Sequence, residues 1–145
     1  MHMPASWTLG RAAAVRTSVE QALMAAVPGL HSSYALRNVG GQSARLRRLL
    51  QVFVQTYADP AQGFEDTDAA QAATRWRATA HSMRGACAAI GADELERDIK
   101  TFERDLASSG TEAFPRWSAT ARRLQQQLGQ LVQGIQAALD MGEPV

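Results

Sequence analysis

Apolar residues recur along this 145-residue chain at intervals of three and four, and nowhere in a sustained alternation. Such spacing puts them on one face of a 3.6-residue helix, whereas a half-buried strand would alternate. Val15, Val19, Leu23 and Ala26 predict a helix from Arg11 to Val27, ended by Pro28-Gly29. A short segment from Ser33 to Asn38 follows and stops at Gly40-Gly41. Ser43 offers an N-cap to a helix with Leu46, Leu49, Leu50, Phe53 and Tyr57 on one face; Pro60 and Gly63 are expected to kink or interrupt it. Asp66 to Gln71 is polar enough for a turn. A helix then runs from about Ala72 to Ile90, with Trp76, Ala80, Met83, Cys87 and Ile90 spaced 4-3-4-3 and Gly91 closing it. Leu95, Ile99, Phe102 and Leu106 predict the next, from Asp93 to Ala107, before Ser108-Ser109-Gly110. The longest stripe, Trp117, Ala121, Leu124, Leu128, Leu131, Ile135 and Ala138, predicts a last helix from Phe114 to Asp140.

Four amphipathic helices on short loops bury their stripes most simply as an all-α antiparallel four-helix bundle. The segment before Pro28 is then an additional N-terminal helix, so residues 1–27 read as an extension or linker and residues 28–145 as the bundle. No repeat of 20–50 residues shows, and no low-complexity tract.

Composition agrees with this reading. Alanine accounts for 27 residues, against four Phe, three Trp and two Tyr; alanine suits helices, while sheets favour β-branched and aromatic residues. Fifteen basic and 14 acidic residues leave a net charge of +1, too little for a general phosphate-backbone binder, so no nucleic-acid partner is expected. A single cysteine excludes an internal disulfide and any multi-cysteine metal site. The longest apolar run, Leu23 to Val27, is far short of the roughly 18–20 residues that span a bilayer. Met1-His2-Met3-Pro4 has neither the basic nor the apolar region of a secretory signal. The expectation is a soluble, cytoplasmic monomer without direct membrane contact.

Candidate chemistry lies on the helix holding Ala80-His81-Ser82-Met83-Arg84-Gly85-Ala86. At about 100° per residue its apolar stripe covers roughly 80° of the wheel, and His81 projects about 140° from the stripe's centre. Thr74, Arg77, Arg84, Gly85 and Ala88 share that outer face. An exposed glycine inside a helix costs about 1 kcal/mol relative to alanine. A solvated histidine and an incidental glycine are the ordinary explanation. Mid-helix histidine, a cation one turn on, glycine beside it and a smooth small-residue surface together describe a docking face around a nucleophile.

This segment, with Ile90-Gly91-Ala92 after it, resembles the signature of histidine-containing phosphotransfer (HPt) domains, helical bundles that relay phosphoryl groups between receiver domains in two-component systems. The resemblance extends over roughly Pro28 to Asp140. Gly40-Gly41 followed by Leu49-Leu50-Gln51-Val52-Phe53 resembles the approach to the family's first long bundle helix, and Leu95, Phe102 and Glu103 resemble its later one. The stretch from Ala58 to Ala73 matches least well. By resemblance His81 is the phosphoacceptor, Arg84 stands where lysine is commonest and stabilises the phosphoryl charge, and Gly85 lets a receiver approach. Glu103 matches a glutamate that orients the imidazole in chemotaxis-kinase relatives. Thr74, Arg77, Gly85 and Ala88 would be docking positions.

The implied partners are response-regulator receiver domains and a sensor or hybrid histidine kinase. The implied mechanism is attack by a neutral His81 nitrogen on an aspartyl phosphate, with the acidic pocket and the divalent metal (Mg) supplied by the receiver. No cofactor of its own is expected, and no kinase activity, since no Gly-rich nucleotide loop occurs. The alternative is a phosphorylation-silent helical module that binds a signalling partner through the same face.

Elsewhere the structural readings prevail. Cys87, Trp76 and Met83 lie on the apolar stripe, so core packing is expected of them. His2 belongs to the terminus and His31 to a turn. Histidines this far apart, without a Glu-x-x-His pair, do not suggest a di-iron bundle. Arg45, Arg47, Arg48 and Arg122-Arg123 read as solvated faces, with steering of an acidic partner as the alternative.

Overall fold

The computed structural model describes Leu30, Gly40 and residues 43–141. The expected helix from Arg11 to Val27, the segment from Ser33 to Asn38, Pro28-Gly29, Gly41, His2 and His31 lie outside the described residues. Within them the protein is all-α. Helix α1 spans Ser43–Tyr57, α2 Ala69–Ala89, α3 Asp93–Ser108 and α4 Phe114–Met141; 3₁₀ turns occupy Pro60–Gln62 and Thr111–Ala113.

Helices α2, α3 and α4 bury the stripes that their spacing predicts, and α1 buries part of its own. Leu46, Leu50, Phe53 and Val54 come from α1, and Trp76, Ala80, Met83 and Cys87 from α2. Leu95, Ile99, Phe102 and Leu106 come from α3, with Trp117, Leu124, Leu128 and Ile135 among the residues from α4. They form one bundle-like core in which α2 packs on α3, α3 on α4, and α4 on α1. Complete burial of side chains such as Met83 or Leu124 contributes about 1.5–3 kcal/mol each, before conformational entropy is set against it. Leu49 and Tyr57, expected on the buried face, are half-buried at the edge of the core, and Val54, outside the expected stripe, is buried.

The turns correct several boundaries. Helix α1 stops at Tyr57, and Pro60 opens a 3₁₀ turn whose N-cap, Asp59, accepts a hydrogen bond from the Ala61 amide at 3.0 Å. The turn expected across Asp66 to Gln71 is shorter. Asp68 caps α2 by accepting from the Gln71 amide at 2.9 Å, so the helix starts at Ala69, three residues before the apolar spacing indicates. The chain between these elements is tied across the bundle: Phe64 N–H donates to Gln125 Oε1 at 3.0 Å, and Trp76 Nε1–H donates to the Glu65 carbonyl at 2.9 Å. Phe64 meets Phe102 edge-on with ring centres 5.4 Å apart.

The α2–α3 turn fixes the pair of helices that bears the histidine. Gly91 has φ of +75°, a left-handed conformation that costs glycine little. The Ala92 amide donates to the Cys87 carbonyl at 2.9 Å and the Gly91 amide to Ala88 at 3.2 Å, the paired bonds of a Schellman C-cap. Ile90 is therefore the cap residue, outside the helix proper, with its side chain still in the core. Among the described residues, no helix is long and apolar enough to cross a membrane.

Candidate functional site

His81 sits just past the middle of α2, one residue after the fully buried Ala80 and two before the fully buried Met83. Burial of those neighbours against the core turns the imidazole outward, and its side chain is 72% exposed. The angle read from the wheel and the observed exposure agree.

Packing of α3 against α2 brings Glu103 beneath the ring. Phe102 anchors that turn of α3 in the core, with its ring centre 6.0 Å from that of Trp76. Glu103, the next residue, then lies at the seam between the helices. Its Oε1 is 3.6 Å from His81 Nδ1, and its Oε2 is 3.5 Å from Arg84 Nε. Both separations exceed ordinary hydrogen-bond lengths, so these are charge–dipole and charge–charge contacts. The carboxylate is 24% exposed and Arg84 28%. Glu103 Oε2 is buried without a hydrogen-bond partner, which leaves the Arg84 guanidinium as its principal electrostatic support.

The ring therefore has two different nitrogens. Nδ1 faces a carboxylate, which favours a proton there and leaves the lone pair on Nε2. Arg84 sits one turn on and shares the same carboxylate. A Cβ built on Gly85 would meet nothing within 4 Å. The chain's own packing thus makes no use of the missing side chain; what it leaves is a bare patch facing outward beside His81.

The positions expected to face a partner differ in exposure. Thr74, Arg77 and Gly85 are exposed, whereas Ala88 is half-buried close to the α2–α3 turn and offers less surface than its wheel position suggests. Arg84 is also partly covered, because it folds onto Glu103 rather than extending into solvent.

Cys87 is fully buried on the opposite face, and burial pushes its thiol up to about 12. It is a core residue and takes no part in the site. Arg47, one of the basic cluster on α1, reaches the Leu139 carbonyl with both terminal nitrogens, at 3.3 and 3.2 Å, and so ties α1 to the end of α4. Its neighbours Arg45 and Arg48 are exposed, as are Arg122 and Arg123.

One feature was not anticipated from the sequence. A groove of about 170 Å³ runs beside the site, lined by Arg77, Arg84, Lys100, Glu103, Arg104 and Ala107. Lys100, Glu103, Arg104 and Ala107 fall at i, i+3, i+4 and i+7, so a wheel of α3 would have placed them together. Its facing wall, Arg77 and Arg84, required knowing which side of α2 meets α3.

Compared with known proteins, the chain matches no family model, no curated protein and no solved structure.

Proposed function

We propose that this chain is a phosphoryl carrier of the HPt type, an antiparallel four-helix bundle that accepts a phosphoryl group on His81 from a receiver-domain aspartate and passes it to another receiver. The observation that carries the reading is the disposition of His81: an exposed imidazole on a rigid helix, with Nδ1 facing Glu103 and a side-chain-free patch at Gly85 beside it.

In this mechanism the Nε2 lone pair attacks phosphorus in line. The N–P bond forms as the bond from phosphorus to the acyl oxygen breaks, and the aspartate leaves as a carboxylate. The proton on Nδ1 stays directed at Glu103, which offsets the positive charge that develops on the ring. Arg84 supplies donors to the phosphoryl oxygens. Reversal onto a second aspartate discharges the carrier. The divalent metal for this chemistry belongs to the receiver's acidic pocket, and the chain acts without a nucleotide site or kinase activity of its own.

The test mixes the domain with a radiolabelled phospho-receiver and follows the label. Acid-labile, base-stable label on the wild-type chain, absent from His81→Gln, is the expected result. Label that persists in His81→Gln overturns the site assignment. A receiver that binds tightly through the His81 face but never transfers label would instead make the chain a phosphorylation-silent interaction module.

A further inference from the structure

The groove beside His81 combines an excess of one charge with an open shape. Arg77 and Arg84 come from α2, Lys100 and Arg104 from α3, and Glu103 is the single carboxylate among its lining residues. Arg84 is engaged with Glu103. Arg77, Lys100 and Arg104 are exposed and have no ion-pair partner among the described residues. Lys100 is the chain's only lysine. Elsewhere on α3 and α4 a cation is neutralised directly: Arg116 meets Asp105 with contacts of 2.7 and 3.0 Å.

Like charges gathered across a helix seam repel one another, and a bound anion relieves that repulsion. Guanidinium groups present planar forks that match tetrahedral oxyanions, and a lysine ammonium adds a point charge. The groove's volume is that of about five or six liquid waters, enough for a phosphate-sized ion.

We propose that the α2–α3 groove is a binding site for a free tetrahedral oxyanion of the phosphate class, held by Arg77, Lys100 and Arg104 with Arg84 at its inner wall. Glu103 stays paired to Arg84 and so repels the incoming anion less than a bare carboxylate would. The site stands on these cations and not on the imidazole, so it can exist whether or not His81 is phosphorylated.

The experiment titrates the isotopically labelled full chain with inorganic phosphate at neutral pH and constant ionic strength, following backbone amide resonances. Saturable shifts confined to the surroundings of Arg77, Arg84, Lys100 and Arg104, displaced by sulfate but not by chloride, are the expected result. Lys100→Ala and Arg104→Ala should each weaken binding about three- to fivefold. Arg122→Gln and His81→Gln should leave it unchanged. Shifts that do not saturate, that chloride reproduces, or that Arg122→Gln reduces equally would show general screening and overturn the site. Loss of binding in His81→Gln would also overturn it, by placing the anion on the imidazole. Phosphate binding without transferable label would leave this inference standing while the carrier reading falls.

Discussion

Glu103 sets one carboxylate oxygen 3.6 Å from His81 Nδ1 and the other 3.5 Å from Arg84 Nε, so one side chain on α3 lies against both His81 and Arg84 of α2. Glu103→Gln keeps the shape and removes the charge. The Nδ1–H tautomer of His81 should lose population, visible in the ring's nitrogen chemical shifts, and the proposed phosphoryl acceptance should slow by up to about tenfold through loss of the charge that favours the developing imidazolium. Stability should change by less than about 1 kcal/mol, since the contact is partly solvated. A slower reaction with an unaltered tautomer balance would show that Glu103 acts on the rate by some route other than the ring.

Gly85 gives a prediction in which stability and activity move in opposite directions. Because a Cβ at that position meets nothing within 4 Å, a longer side chain fits the folded chain without strain. Gly85→Gln should raise helix stability by about 0.5–1 kcal/mol, the propensity difference between glycine and a good helix former. It should also slow transfer by obstructing the partner, with unchanged reactivity of His81 toward a small phosphodonor such as phosphoramidate. Equal slowing with the small donor would move the effect from docking to chemistry.

The sequence made the helices and their buried faces legible because the stripes on α2, α3 and α4 repeat without interruption, and the outward direction of His81 follows from the same periodicity. The start of α2 was less legible. Ala69 and Ala70 carry little hydrophobic signal, and the information lay in Asp68, a capping residue, rather than in the apolar spacing. Half-burial of Ala88 and the fold-back of Arg84 were hidden because both depend on how closely α3 lies against α2. Glu103 beneath His81 came from family resemblance; nothing in the spacing of two separate helices fixes their relative height. The cationic groove was missed for the same reason, since Arg77 and Arg84 on α2 and the other four lining residues on α3 meet only where the helices pack.

Cys87 should be unreactive while the chain is folded. Its thiol, fully buried and raised from 9.0 to about 12, is both inaccessible and protonated at neutral pH. Modification by Ellman's reagent should follow the unfolding rate and accelerate sharply in denaturant. The folded state holds this proton more tightly than the unfolded state does. The corresponding stability is therefore complete below pH 9 and declines as pH rises toward 12. Cys87→Ser should cost about 1–3 kcal/mol by burying a hydroxyl in an apolar setting. Rapid labelling under native conditions would contradict the burial.

Asp105 and Arg116 link the end of α3 to the start of α4, and the pair predicts the acid limb of stability. Arg116 Nη2 donates to Asp105 Oδ1 at 2.7 Å and its Nε to Oδ2 at 3.0 Å, while Ser109 Oγ donates to Oδ1 at 2.8 Å. The hydrogen bonds from Arg116, helped by that from Ser109, hold the carboxyl below its usual 3.8. A depressed folded value means that the unfolded chain takes up the proton first. The stabilisation is therefore complete above about pH 3.8 and is lost as pH falls through the lower folded value. Asp105→Asn should reduce stability at neutral pH and flatten its dependence below that point, and Arg116→Met should do the same through the other partner. Both effects should shrink in high salt, because the pair is at the surface. Thermal melts of the three proteins between pH 2 and 7 test this: wild-type and Asp105→Asn curves that stay parallel throughout would show that the contact adds nothing to the acid sensitivity of the fold.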